Sequence, residues 1–107
     1  MTDGGDGAWH DLIAVERIEK GWVTPASLGA RRLAVHDTPT GIHVTAALCS
    51  HAGADLCDGW FDGHVIECPL HQGAFDVRDG RPIGAPATRP LRVYPARVRA
   101  GMVQIRL

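Results

Sequence analysis

A chain of 107 residues, 45% apolar and 21% charged, can bury one core, so it reads as a single folded domain over 1–107 rather than a disordered segment. A formal net charge of −1 argues against nucleic-acid binding, and no apolar run approaches the roughly 18 residues of a helical membrane span. The charge is unevenly spread: residues 1–76 hold eleven acids against four bases, whereas 77–107 hold seven Arg against Asp79. With no block of like charge, the split implies two faces rather than a tail.

The opening stretch, "MTDGGDGAWHD", is acidic and glycine-rich. It lacks the basic and apolar regions of an export signal, so a cytoplasmic location is expected. In that compartment three Cys are thiols or metal ligands more readily than disulfides. The first seven residues are expected to be loose. "ERIEKG", residues 16–21, offers the one helical candidate, a turn or two.

Further on, "TGIHVTAAL" (40–48) alternates after the turn signals Asp37, Pro39 and Gly41, which predicts a strand. In "GWFDGHVIEC" (59–68), Asp62-Gly63 lies between Trp60-Phe61 and Val65-Ile66, the pattern of a type I′ hairpin. Near the end, Leu91 and Val93 should face one way and Arg92 and Tyr94 the other. After a break at Gly101, Val103, Ile105 and Leu107 alternate with Gln104 and Arg106. Seven to nine short strands of this kind predict an all-β sandwich or barrel. The late arginines then read as a solvated sheet face, and Trp9, Trp22 and Trp60 as core or sheet-covering residues. Cys57 reads as a structural thiol, and His10, His36, His43 and His64 have no ligand spacing.

The chemistry concentrates in two short stretches. "IECPLHQGAFD" places Cys68 and His71 three apart, and "LCSHAGADL" places Cys49 and His51 two apart. Together they read C-x-H, sixteen residues, C-x2-H. Each pair follows a predicted strand and opens into a small-residue loop, so the two loops can face each other at one end of the sheets. Zinc accepts two Cys and two His, but structural zinc sites usually pair like ligands in each loop. Here each loop offers one sulfur and one nitrogen. Mixed loops suit a two-iron cluster in which one iron takes both thiolates and the other both imidazoles.

The stretch "CSHAGADLCDGWFDGHVIECPLHQGAFDVRDGRPIGAP" (49–86) resembles the Rieske ferredoxins of multicomponent aromatic-ring-hydroxylating dioxygenase systems. The likeness is good over 45–107 and weaker before. It implies an all-β Rieske fold: an antiparallel β-sandwich base carrying a small cluster-binding subdomain at approximately 46–86. It also implies one [2Fe–2S] Rieske cluster, with Cys49 and Cys68 on the inner iron and His51 and His71 on the outer. Gly84-Ala85-Pro86 matches the family's cluster-covering proline loop. Gly53 and Gly73 are placed for close backbone approach to the cluster, and Pro69 fixes the chain between ligands.

The implied role is a soluble, monomeric electron carrier rather than an enzyme. Its partners would be a flavin-containing ferredoxin reductase and a terminal oxygenase. No G-x-G-x-x-G motif and no mononuclear iron site compete with that reading. High-potential Rieske proteins resemble the motif but carry an extra Cys in each ligand loop, where this chain has Ala54 and Leu70. They also carry Ser and Tyr hydroxyls bonded to cluster sulfur, where this chain has Gly73 and Phe75. Fewer such bonds place the expected potential near the lower bound of the Rieske range, about −150 mV. Asp55, Asp58 and Asp62 are candidates for an acidic docking rim. Alternatives are an electron-transfer subunit of another oxygenase or of a nitrite reductase, and a zinc-stabilised interaction module.

Overall fold

Strand β3, Arg31–Thr38, organises the molecule because both of its faces are covered. Leu33 and Val35 enter one core while Ala34 enters another, as the two-residue period of a strand requires. β3 pairs antiparallel with β2 (Val23–Leu28) and β4 (Gly41–Ala46), and β4 continues the sheet to the short β9 (Val93–Tyr94). The computed structural model describes residues 7–48, 55–69, 73–84 and 89–107.

A second antiparallel sheet lies against the first, in the order β1 (Trp9–Ala14), β11 (Met102–Arg106), β10 (Ala96–Arg99). Leu33, Val35, Val44, Tyr94, Val103 and Ile105 fill the space between them. Trp9 covers this sheet from outside, with the guanidinium of Arg97 at 4.1 Å and that of Arg106 at 5.5 Å from its ring centroid. These two sheets form the base.

The third sheet is an antiparallel meander of β5 (Trp60–Asp62), β6 (Val65–Glu67), β7 (Ala74–Asp76) and β8 (Pro82–Gly84). Strands of three residues cannot persist on ladder hydrogen bonds alone. Phe61, Ile66 and Phe75 are therefore decisive: each is buried with Leu56, Val77 and Leu91 against Val23 and Ala34 of the base. Burial of such a side chain contributes about 2 kcal/mol. The all-β expectation of a sandwich base with a smaller added unit is met. No helix among the described residues is long and apolar enough to cross a membrane.

Some local expectations change. Eleven strands occur among the described residues, more than seven to nine, because three-residue strands are too short to show alternation. The helical candidate at 16–21 is instead a 3₁₀ turn at Val15–Arg17, and a second, unforeseen 3₁₀ turn spans Leu56–Asp58. The β5–β6 register pairs Asp62 with Val65, so Gly63 and His64 are the central turn residues. Of the two only Gly63 has positive φ, +63°, which fits type II′ rather than the expected I′. The I′ pattern appears at Ala100-Gly101, with φ of 52° and 78°, joining β10 to β11 where the sequence showed only a break. Near β9, Leu91 and Tyr94 are both buried but in different cores, so neither face of this segment is simply solvated.

Candidate metal centre

The β6–β7 ladder ends at Glu67 and Ala74, and one further bond closes it: Cys68 N–H donates to Gly73 O at 2.7 Å. Ile66 is buried, so period-two alternation turns Cys68 inward as well. Cys68 is 2% exposed and packs with Leu56, Ile66 and Phe75. β5 can come close beside it because Gly59 has no side chain; a Cβ there would meet Glu67 O at 2.0 Å.

The chain on either side of 49–54 is gathered in the same way. Leu48 and Asp55 form an antiparallel bridge. Leu56 N–H donates to Ala47 O at 2.7 Å, and Ala47 N–H donates to Arg32 O at 3.0 Å. The Asp55 carboxylate accepts from Cys57 N–H at 2.9 Å, capping the Leu56–Asp58 turn, and also accepts from Arg32 Nη2. This clamp was not foreseen. The sequence groups Asp55 with Asp58 and Asp62 as an acidic rim, but its oxygens serve the loop base while Asp58 and Asp62 stay exposed. An Asp preceding a short turn is the ordinary signature of such a cap and could have revealed it.

Cys57 is half-buried, and its thiol is pushed up to about 12, chiefly by burial and then by the charge of Asp55. It stays protonated and is a structural thiol, as expected. His36, His43 and His64 are engaged elsewhere. His36 packs on Phe61 with ring centroids 5.3 Å apart, and Thr40 Oγ1 lies 3.1 Å from His43 Nε2 and 2.9 Å from His64 Nε2. No three His, Cys, Asp or Glu side chains converge among the described residues.

Of the four sequence-predicted ligands, Cys68 is described, and Cys49, His51 and His71 lie outside the described residues. Gly53, Ala54, Leu70, Ala85 and Pro86 lie outside them too. What the structure does show fits a cluster site. The buried Cys68 and the flanks of both ligand-bearing stretches share one core and one end of the third sheet, where Ala74 pairs with Gly84. The donors implied are two thiolates and two imidazoles, the set that a Rieske centre takes.

The family model of the Rieske [2Fe–2S] domain matches residues 8–95. The chain belongs to the Rieske [2Fe–2S] family. It therefore carries one Rieske cluster. The ferredoxin component of a naphthalene 1,2-dioxygenase system from Pseudomonas aeruginosa is 38% identical, over 92% of this chain and 95% of that one. Among solved structures, the Sphingomonas yanoikuyae B1 ferredoxin superposes with a TM-score of 0.87 at 33% identity, over 94% of this chain and 99% of that one. A complex of reduced oxygenase and oxidized ferredoxin in carbazole 1,9a-dioxygenase matches with a TM-score of 0.82 at 36% identity, over 92% of each chain. Such Rieske ferredoxins are electron-transfer components rather than catalysts, and so is this chain.

Proposed function

We propose that this Rieske ferredoxin accepts single electrons from a flavin-containing reductase and delivers them to the terminal oxygenase of an aromatic-ring-hydroxylating dioxygenase system. The observation that carries this reading is the extent of the match, which covers 95% of the naphthalene-system ferredoxin as well as 92% of this chain. The carrier acts as a cytoplasmic monomer. In the proposed ligand set Cys49 and Cys68 serve one iron, and His51 and His71 the other. The cluster domain is the approximately 46–86 unit of the single domain 1–107.

When bound, the [2Fe–2S] group supplies a site for one reversible electron. The chain's own residues supply position and enclosure. Leu56, Ile66 and Phe75 keep water from the Cys68 side of the site. The Leu48–Asp55 bridge and the Cys68–Gly73 bond hold the flanks of the ligand stretches in fixed register. Flanks held in this way limit the rearrangement that accompanies electron transfer.

The test is a redox titration followed by electron paramagnetic resonance, with iron and acid-labile sulfide analysis. A rhombic Rieske signal that develops at a midpoint of about −150 mV is expected. His71→Cys or Cys49→Ser should abolish or replace it. A midpoint at the high end of the Rieske range would exclude the oxygenase-feeding role, and zinc without iron would exclude electron carriage altogether.

A further inference from the structure

Four large apolar side chains are exposed among the described residues: Leu48 at 48%, Trp60 at 64%, Ile83 at 46% and Val98 at 51%. Three of them stand next to the candidate ligand stretches in sequence or register. Leu48 adjoins Cys49, Ile83 adjoins Gly84, and Trp60 pairs across the β5–β6 ladder with Glu67, the neighbour of Cys68. The exposed Pro69 lies beside Cys68 as well. Trp60 is exposed yet held: its ring meets the edge of Trp22 at 5.8 Å and 87°, and Trp22 meets Phe61 at 6.3 Å and 86°. An indole fixed in advance loses little rotamer entropy when a partner covers it. Buried aromatic anchors with an excluded-water border carry most of the energy in small interfaces.

Immediately around Trp60 the border is acidic, with the exposed Asp58 two residues before it and Glu67 across from it, while the exposed Arg81 and Arg32 stand nearer Ile83 and Leu48. A second copy of this chain would oppose like charges at that border. We propose that Trp60 is the anchor of the face that docks the terminal oxygenase, seated in an apolar hollow with a basic rim on that partner. The inference rests on the electron-carrier reading above. A similar ferredoxin is solved in complex with an oxygenase.

The experiment mixes dithionite-reduced ferredoxin with oxidised terminal oxygenase, using those of the naphthalene 1,2-dioxygenase and carbazole 1,9a-dioxygenase systems as probes. Trp60→Ala should raise the half-saturating oxygenase concentration at least tenfold, with an unchanged midpoint and resonance signal, and Trp60→Phe should recover part of the loss. Asp58→Asn with Glu67→Gln should flatten the salt dependence of the transfer rate. An unchanged half-saturation in Trp60→Ala overturns the anchor. So does a shifted midpoint, which would give Trp60 a structural role, or a defect confined to reduction by a flavin reductase. Failure of the wild-type protein to reduce either oxygenase overturns the carrier reading itself.

Discussion

Thr40 Oγ1 lies 2.9 Å from His64 Nε2, a hydrogen bond that joins the turn between β5 and β6 to the turn between β3 and β4. The same oxygen is 3.1 Å from His43 Nε2 and 3.2 Å from Thr38 Oγ1. Thr38 donates its own hydroxyl proton to Gly41 O at 2.7 Å, so Thr40 must donate to Thr38, and both imidazoles donate to Thr40. Thr40→Val removes the acceptor shared by two side chains that link the third sheet to the base. The expected loss is about 1–2 kcal/mol, or roughly 5–10 °C in Tm for a domain of this size. Thr40→Ser keeps the hydroxyl and should restore most of it. Thermal unfolding followed by circular dichroism checks this, and equal Tm values for wild type and Thr40→Val would discount the link.

His36 makes folding sensitive to acid. It is fully buried, with Nε2 2.9 Å from Thr45 Oγ1, and the Thr45 hydroxyl donates to Ala46 O at 3.0 Å. The imidazole therefore donates from Nε2, and Nδ1 has no partner among the described residues. Burial first, and the facing His43 second, lower its pKa from 6.5 to about 3. The folded pKa lies below the unfolded one. Stability from the neutral ring is thus complete above pH 6.5 and drains away as pH falls toward 3. The slope approaches about 1.4 kcal/mol per pH unit for one such group. His36→Leu should flatten the decline of Tm between pH 6.5 and 4.5, with His43, also lowered by burial, contributing to what remains. Parallel declines in the two proteins would contradict this assignment.

These two histidine sites also mark where sequence reasoning reaches its limit. Alternation around Val103 and Ile105, and the Cys68–His71 spacing, are local patterns, and they led directly to the β class and to the cluster motif. His36 and His43 sit opposite each other on β3 and β4, which only the register reveals. The third sheet has strands of three residues, so burial of Phe61, Ile66 and Phe75 against the base defines it more than any local period. Asp55 looked like a rim charge because its partner, Arg32, comes from a distant strand.

The Arg32–Asp55 pair should govern how long the cluster survives more than how stably the chain folds. Arg32 is 60% exposed, so the ion pair contributes less than about 1 kcal/mol to folding. It sits, however, at the closing bridge of residues 49–54. Arg32→Leu and Asp55→Asn are expected to shorten the half-life of the visible absorbance at moderate temperature by a few-fold, with Tm nearly unchanged. Asp55→Ala also removes the acceptor for Cys57 N–H and should lose about 1 kcal/mol more in folding stability. Bleaching rates that track Tm across all three variants would deny the pair any local role.

Phe75 offers a direct handle on the potential. It is fully buried in the same core as Cys68, at the place where high-potential Rieske proteins carry a Tyr hydroxyl bonded to cluster sulfur. A hydroxyl there stabilises the reduced state more than the oxidised state, because the added electron increases negative charge on the acceptor. A preference of about 1 kcal/mol corresponds to roughly 40 mV for a one-electron couple. Phe75→Tyr should therefore raise the midpoint by roughly 30–60 mV. Phe75→Leu changes packing without adding a donor; it should lower Tm and leave the midpoint within about 10 mV, a negligible fraction of a tenfold change. A shift of equal size in both variants would trace the effect to repacking around Cys68 rather than to the hydroxyl, and an unmoved midpoint in Phe75→Tyr would place that oxygen away from the sulfur.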